Sequence, residues 1–369
     1  MLEGPRLARP EEADDLGDLS ALCFGGHVHP RSRPRRRSAR EVRGSWVMTS
    51  GGKPVSHIKV VYNHLLIHGA RVKVASIGGV CTHPEFRGRG AATALLDRCM
   101  AEATEAGATV LIISGGRGLY RRAQAVDAGR TFRARISPDS IGRADGACTI
   151  RPATPDDWGV VARLYQQEPV RFVRSADFVA SVVSHRHHGR LWIVESTAGD
   201  VLAYVTLGRD WGERHDAPRR LVGEYAGSRA ALVQALPAII EASELELITF
   251  DFPADDRELA YLFAREGVGM KPSTIKDHTM RLLNLPELMR RLKPYTEARL
   301  ARSDARKLSF RQGEECVFGC GSEEARFDVG RATALVLGGP EASRVGGELG
   351  RLLSSIYPIP LPLPGMNYV

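Results

Sequence analysis

Between Ser76 and Cys99 the chain reads SIGGVCTHPEFRGRGAATALLDRC, and the run Arg87-Gly88-Arg89-Gly90-Ala91-Ala92 has the residue types to hold a pyrophosphate. A β-rich segment ends at Thr82, a loop of Arg and Gly follows, and the loop opens straight into a helix-forming segment. The first amides of a helix lack carbonyl partners, and together with the helix dipole they favour an anion. Gly88 and Gly90 put no Cβ between backbone and phosphate, and Arg87 and Arg89 add charge-assisted hydrogen bonds. The plainer alternative is an ordinary βα turn that happens to be basic.

Other groups with chemical potential are less organised. Cys316 and Cys320 are four apart, but no second pair or nearby His completes a zinc set, so no metal is expected. The six cysteines read as free thiols. His185, His187 and His188 lie beside Gly189 and read as a solvated turn. The arginine-dense stretch 27–43, HVHPRSRPRRRSAREVR, is either a solvated loop or a basic lid over an anionic ligand. It lacks the aromatic interleaving of a nucleic-acid surface, so nucleic acid is not an expected partner.

The elements that position the Arg–Gly loop follow from pattern. Ser45–Ser50, Pro54–Tyr62 and Val72–Thr82 are β-rich runs separated by turn residues and predict an antiparallel meander. Ala91–Ala106 predicts a helix with Leu95, Leu96, Cys99 and Met100 on one face and Gly107 closing it. A short strand at Thr109–Ile113 and a helix over Gly118–Val126 follow. TIRPATPDDWGVVARLY then restates the strand–Pro–acidic–helix pattern of LARPEEADDLGDLSALC, an internal repeat. The second copy continues with strands at Leu191–Glu195, Val201–Leu207 and Leu221–Tyr225, and a helix over Ser228–Ala242. A strand at Leu245–Phe250, a helix over Asp256–Glu266 and a strand at His278–Leu283 complete it. Beyond Leu285 a helix (Leu288–Ala301), two strands (Lys307–Cys320, Glu324–Leu337) and a helix (Pro340–Ile356) lead to the tail YPIPLPLPGMNYV, whose four prolines keep it extended.

With 369 residues, 43% hydrophobic and 25% charged, the composition is that of a soluble globular chain of two or three domains. The start, MLEGPRLARPEEADD, has no apolar signal region, and no window approaches the ~18 apolar residues of a membrane span. A cytoplasmic protein without a membrane partner is expected. The net charge of +8 attracts anions without selecting one.

Arg87, Gly90 and Ala92 fit the R/Q-x-x-G-x-G/A signature of the GCN5-related N-acetyltransferase (GNAT) superfamily, and Gly79–Pro84 resembles the family's fourth strand and its exit. The resemblance covers about Leu7 to Ile136. It implies acetyl-CoA as co-substrate, with the pantetheine arm between the splayed fourth and fifth strands. Val80, Cys81, Thr82 and Ser114 would line the arm, and Arg87, Gly88, Arg89, Gly90, Ala91 and Ala92 would hold the pyrophosphate. Tyr120 stands where the family often keeps a tyrosine near the coenzyme sulfur, and a protonated phenol there donates to the departing thiolate. Family proteins usually continue Tyr-x-x-x-Gly-Phe, whereas this chain reads Tyr120-Arg121-Arg122-Ala123-Gln124-Ala125. Many relatives carry an acidic base on strand four; Val74–Thr82 has none.

Across its whole length the pattern resembles the enhanced intracellular survival acetyltransferases. That resemblance implies an α+β mixed fold: two tandem GNAT folds, then a small sterol-carrier-like α+β domain. The expected division is a catalytic domain over 1–147, a degenerate copy over 148–285, and the small domain with its Pro-rich tail over 286–369. It also implies that the C-terminal carboxylate, here on Val369, reaches the first active site as base or base-orienter. The second copy reads Val222-Gly223-Glu224-Tyr225-Ala226-Gly227-Ser228-Arg229 where the cradle should be, and Glu224 would repel a pyrophosphate. The expected reaction is direct acetyl transfer to a primary amine of a small molecule or peptide. The alternative is a non-catalytic acyl-CoA-binding or sensor protein. The resemblance leaves a homo-oligomer open.

Overall fold

Five strands in chain order build most of a first sheet: β1 (Glu3–Leu7), β2 (Ser45–Ser50), β3 (Lys53–Ile67), β4 (Ala70–Thr82) and β5 (Val110–Ser114). The computed structural model describes residues 1–24, 42–142, 148–182, 191–208, 220–340 and 344–367. The arginine-dense stretch up to residue 41, the run His185, His187 and His188, and the final Tyr368 and Val369 lie outside them. Helix α1 (Ala13–Phe24) sets Ala13 and Leu16 on Val47 at one face of this sheet. Helix α2 (Ala91–Glu105) sets Leu95, Leu96, Cys99 and Ala103 on Ile77, Leu111 and Ile113 at the other. The meander, α2 and β5 stand where the pattern predicts; helix α3 (Gly118–Arg122) is shorter than predicted.

The second sheet runs β13 (Met270–Thr274), β6 (Arg130–Ile136), β12 (Ile248–Pro253), β11 (Leu221–Gly227), β10 (Val201–Gly208), β9 (Leu191–Glu195) and β7 (Thr149–Pro152). Its centre is the ring cluster Phe250, Phe252 and Phe263, all fully buried with centroids 5.5–6.2 Å apart. The two sheets trade a strand. β6 follows α3 in the chain yet pairs with β12, Phe132 opposite Phe252. In return β14 (His278–Leu282) closes the first sheet against β5, Met280 opposite Ile112. A short strand β8 (Val170–Phe172) adds to the far end of β3, Phe172 opposite Leu65.

The crossing segment is tightly held. Val126 exchanges backbone hydrogen bonds with Met280 at 2.8 and 2.9 Å, and Ile275 N–H donates to Gly129 O at 2.9 Å. Gly129 has φ +78°, and a Cβ there would stand 2.5 Å from Ile275 Cδ1. Left-handed backbone and overpacking each cost a non-glycine residue ~1–2 kcal/mol or more. Gly129→Ala is therefore expected to lower the unfolding free energy by about 2–3 kcal/mol in urea denaturation, and a loss below about 1 kcal/mol would show the crossing to be loose.

After β14 come helices at Leu285–Arg291 and Lys293–Glu297, then three short antiparallel strands: β15 (Leu308–Gln312), β16 (Cys316–Cys320) and β17 (Glu323–Phe327). Two expectations are corrected here. Lys307–Cys320 is a hairpin of two strands, and the predicted strand ends at Phe327, giving way to a helix at Val329–Leu337. That helix is capped by Asp328, whose side chain accepts from Arg331 N, and is closed by Gly338 at φ +75°. Phe318 is fully buried between Phe310, Phe327 and Tyr357, edge-on at 5.9–6.2 Å. The tail leaves the last helix (Gly347–Ile356) in extended form and buries Tyr357, Ile359 and Leu361 at every second position. Among the described residues no helix is long and apolar enough to cross a membrane.

Candidate active site

The Arg–Gly loop joins β4 to α2 as a single 3-10 turn, Pro84–Phe86, followed by Arg87 to Gly90. Gly88 and Gly90 have φ +74° and +78°, conformations that L side chains rarely adopt. A Cβ at either would meet nothing within 4 Å, so the space above the loop is open. The first helical bond is Ala94 N–H to Gly90 O at 3.0 Å; among the described residues the amides from Gly88 to Thr93 have no backbone acceptor. Arg87 Nε donates to Thr82 O at 3.2 Å, and Arg89 stacks over Phe86 at 5.1 Å. Ala91 is buried against the core, which locks the helix start in place. The turn thus offers an anion amide donors without backbone acceptors at a helix N-terminus, in a loop that carries two arginines.

Behind the loop the sheet splits. β4 and β5 pair in parallel only from Val74 opposite Val110 to Ile77 opposite Ile113. β5 ends at Ser114, which pairs with His278 of β14, while β4 continues to Thr82. Gly79, with φ +61°, makes a bulge: three steps of β4, Gly78 to Cys81, match two of β3, Lys59 to His57. Such a bulge bends its strand, and here it turns the backbone of Val80, Cys81 and Thr82 away from β5. Val80 and Cys81 are buried at the gap, and Thr82 Oγ1 meets Ser56 Oγ at 2.8 Å.

Tyr120, from α3, packs beside this gap with Ile77, Val80, Leu95 and Ile113, and is 1% exposed. Its ring lies 3.5 Å from where a Cβ on Gly115 would stand. Among the described residues its phenol makes no hydrogen bond. Burial pushes the phenol's pKa up, with Cys81 adding to the rise and Arg117 opposing it. The group is therefore a proton donor at neutral pH.

The altered end of the tyrosine motif has a structural explanation. Gln124, in the glycine's place, holds φ +58°, and its Oε1 accepts from Val329 N at 3.0 Å, capping the helix Val329–Leu337. Ala125 is buried and its N–H returns to Tyr120 O at 2.9 Å.

Two histidines at the splay escaped the sequence reading. On β3, His57 is 3% exposed, pairs with Cys81, and its Nδ1 bonds to Gly79 O at 3.0 Å. On β14, His278 pairs with Ser114, its Nδ1 bonds to Lys276 O at 2.8 Å, and burial holds its pKa below the usual value. The only signal for either was a lone imidazole inside an apolar strand.

The second sheet repeats the layout with a different outcome. β11 and β12 are parallel over two pairs, Leu221 with Thr249 and Val222 with Phe250, and then diverge. The helix Arg229–Ala242 starts one residue after β11, and Ser228 Oγ accepts from Ala231 N at 3.2 Å. Arg229 is spent on Glu168 at 2.6 Å and Asp256 at 3.0 Å. Glu224 does not face a phosphate position, contrary to expectation. It is 4% exposed and paired with Arg174. Burial alone would raise its pKa, but Arg174 and the hydrogen bonds to its oxygens outweigh that and hold it below the usual carboxylate range.

Val369 lies outside the described residues; the last described residue, Asn367, donates from Nδ2 to Asn63 Oδ1 of β3 at 3.3 Å. Cys316 and Cys320 sit buried along β16, all six cysteines are free, and no cluster of three metal-binding side chains occurs among the described residues.

Residues 5–123 match the sequence model of the acetyltransferase (GNAT) domain. Comparison with curated proteins finds no match. Among solved structures, a protein from Enterococcus faecalis V583 described as a probable N-acyltransferase superposes with TM-score 0.67 at 14% identity, over 98% of this chain and 97% of that one. A GCN5-related N-acetyltransferase from Kribbella flavida gives 0.66 at 16% identity, over 98% and 97%. Eis1 from Mycobacterium abscessus gives 0.57 at 15%, over 88% and 85%. At these identities the likeness is one of fold. Residues 5–123 are thus similar in sequence to the acetyltransferase (GNAT) domain, and the chain as a whole shares its fold with these solved proteins.

Proposed function

We propose that the chain transfers an acetyl group from acetyl-CoA directly to a primary amine of a small molecule or peptide. The observation that carries this reading is the run of amides from Gly88 to Thr93, without backbone acceptors, at the mouth of a strand splay beside buried Tyr120. On this reading Arg87, Gly88, Arg89, Gly90, Ala91 and Ala92 hold the pyrophosphate. Val80, Cys81, Thr82 and Ser114 line the pantetheine arm. Acetyl transfer forms an N–C bond and breaks a C–S bond. Tyr120 gives its proton to the departing thiolate, and a base takes the proton the amine loses. Holding both reactants in one cleft supplies much of the acceleration.

For the base we propose the carboxylate of Val369. Asn367, two residues before it, donates from Nδ2 to Asn63 Oδ1 of β3. We also read the chain as two tandem GNAT folds over 1–147 and 148–285, the second non-catalytic, with a small sterol-carrier-like domain over 286–369. The two similar strand splays and the capped second helix support that reading. A cytoplasmic enzyme is the corresponding proposal for its location.

The raised pKa of Tyr120 makes a testable pH profile. A donor whose pKa lies above the ordinary phenol value of ~10 stays loaded throughout the working range. We therefore expect kcat/KM to rise with pH as the amine is freed and to show no falling limb below about pH 10. A limb that falls near pH 8 in initial-rate measurements would assign the acid to another group.

A further inference from the structure

The divergence of β11 and β12 is filled from within the chain. Glu224 sits on β11 at its edge, and Arg174 grips both its oxygens, Nη1 to Oε1 at 2.8 Å and Nη2 to Oε2 at 2.7 Å. Tyr204 Oη donates to Oε1 at 2.8 Å. The fourth donor is the backbone N–H of Met366 in the tail, at 3.0 Å to Oε2. Arg174 Nε donates to Asn367 Oδ1 at 2.5 Å, and its guanidinium lies flat on Tyr165 at 3.8 Å. Asn367 in turn meets Asn63 of β3, whose Nδ2 reaches Ser76 Oγ of β4 at 3.5 Å. A continuous polar chain therefore runs from the second sheet through the tail to β3 and to β4, one edge of the first splay.

Taking an ion pair out of water is costly, and replacing one by apolar side chains often stabilises a protein. What a buried pair supplies is a fixed geometry, in which the Met366 N–H and the Asn367 Oδ1 of the tail each have one place. Gly365 is part of that fit. It holds φ +50°, and a Cβ there would overlap Glu224 Oε2. Upstream, Pro362 and Leu363 of the tail wall a cleft of about 630 Å³ that is also lined by Tyr225 of β11, Ser228 after it and Pro253 at the end of β12.

We propose that the second copy's strand splay is the socket for the chain's own tail. Glu224, Arg174 and Gly365 are then positioning residues that hold Asn367 against β3 for acyl transfer. The role in transfer rests on the function proposed above; the socket itself does not. None of these residues touches the pyrophosphate cradle, so cofactor affinity and turnover should separate.

The test uses the full chain with Gly365→Ala and Glu224→Gln, read by amide hydrogen exchange at Met366, acetyl-CoA calorimetry and transfer kinetics. Gly365→Ala changes only the tail, which guards against the misfolding that an unpaired Arg174 could cause in Glu224→Gln. We expect Met366 exchange to rise at least about tenfold in both, as the loss of one charge-assisted hydrogen bond implies. Acetyl-CoA affinity should stay within about twofold, and kcat should fall at least about tenfold. Wild-type exchange rates at Met366 in both variants would overturn the socket. Free exchange with unchanged kcat would overturn the positioning role. A wild-type chain that acylates no amine would overturn the role in transfer, while exchange at Met366 would still decide the socket.

Discussion

Arg87→Ala combined with Gly90→Glu is expected to weaken acetyl-CoA binding by at least about 100-fold, near 3 kcal/mol. The substitution acts on the cradle twice. Removing Arg87 takes away one of the two guanidinium groups of the loop that carries the Gly88–Thr93 amides. A glutamate at position 90 brings a carboxylate to those same amides, where it caps the helix itself and repels a pyrophosphate. The fold should survive, because a Cβ at Gly90 meets no protein atom within 4 Å and the remaining cost is that of φ +78°, ~1–2 kcal/mol. Calorimetry of acetyl-CoA against both chains, with circular dichroism to confirm folding, reads the effect. Equal affinities would place the cofactor elsewhere.

Tyr120→Phe is expected to lower kcat by ~10²–10⁴ while acetyl-CoA affinity stays within about twofold. The ring would still fill the space between Val80, Leu95 and Ile113. Among the described residues the phenol has no hydrogen-bond partner to lose, so stability should hold or rise slightly. A residue that only packs α3 on the sheet would behave differently, since losing its hydroxyl would leave turnover untouched. Single-turnover kinetics on the variant, beside its thermal midpoint, separate the two roles.

The cradle was legible because every part of it is local. Arg87 to Ala92, the two glycines and the helix behind them lie within one turn, and the backbone there follows from residue type alone. The strand exchange was not legible in the same way. Nothing within Arg130–Ile136 says that its partner is Ile248–Pro253 rather than Val110–Ser114, because pairing depends on which sheet edge is open when the chain crosses at Gly129. The helix Val329–Leu337 was read as strand because it is buried on nearly every side, which erases the helical period of its apolar residues. Its Asp328 cap and closing Gly338 were the signals that would have corrected this. Glu224 was misplaced for a related reason. Its partner Arg174 is fifty residues away and its other partner is the tail, so its charge looked free when it was fully matched.

Acetyl transfer in the first domain is tested most directly by incubating the wild-type chain with acetyl-CoA and a panel of small-molecule and peptide amines, following free thiol and acetylated amine together. The proposed chemistry predicts equal release of thiol and formation of N-acetylated product with at least one amine, and neither from the Arg87→Ala, Gly90→Glu chain. Tight acetyl-CoA binding with no acetylated amine anywhere in the panel would contradict it and leave a binding or sensor protein in its place.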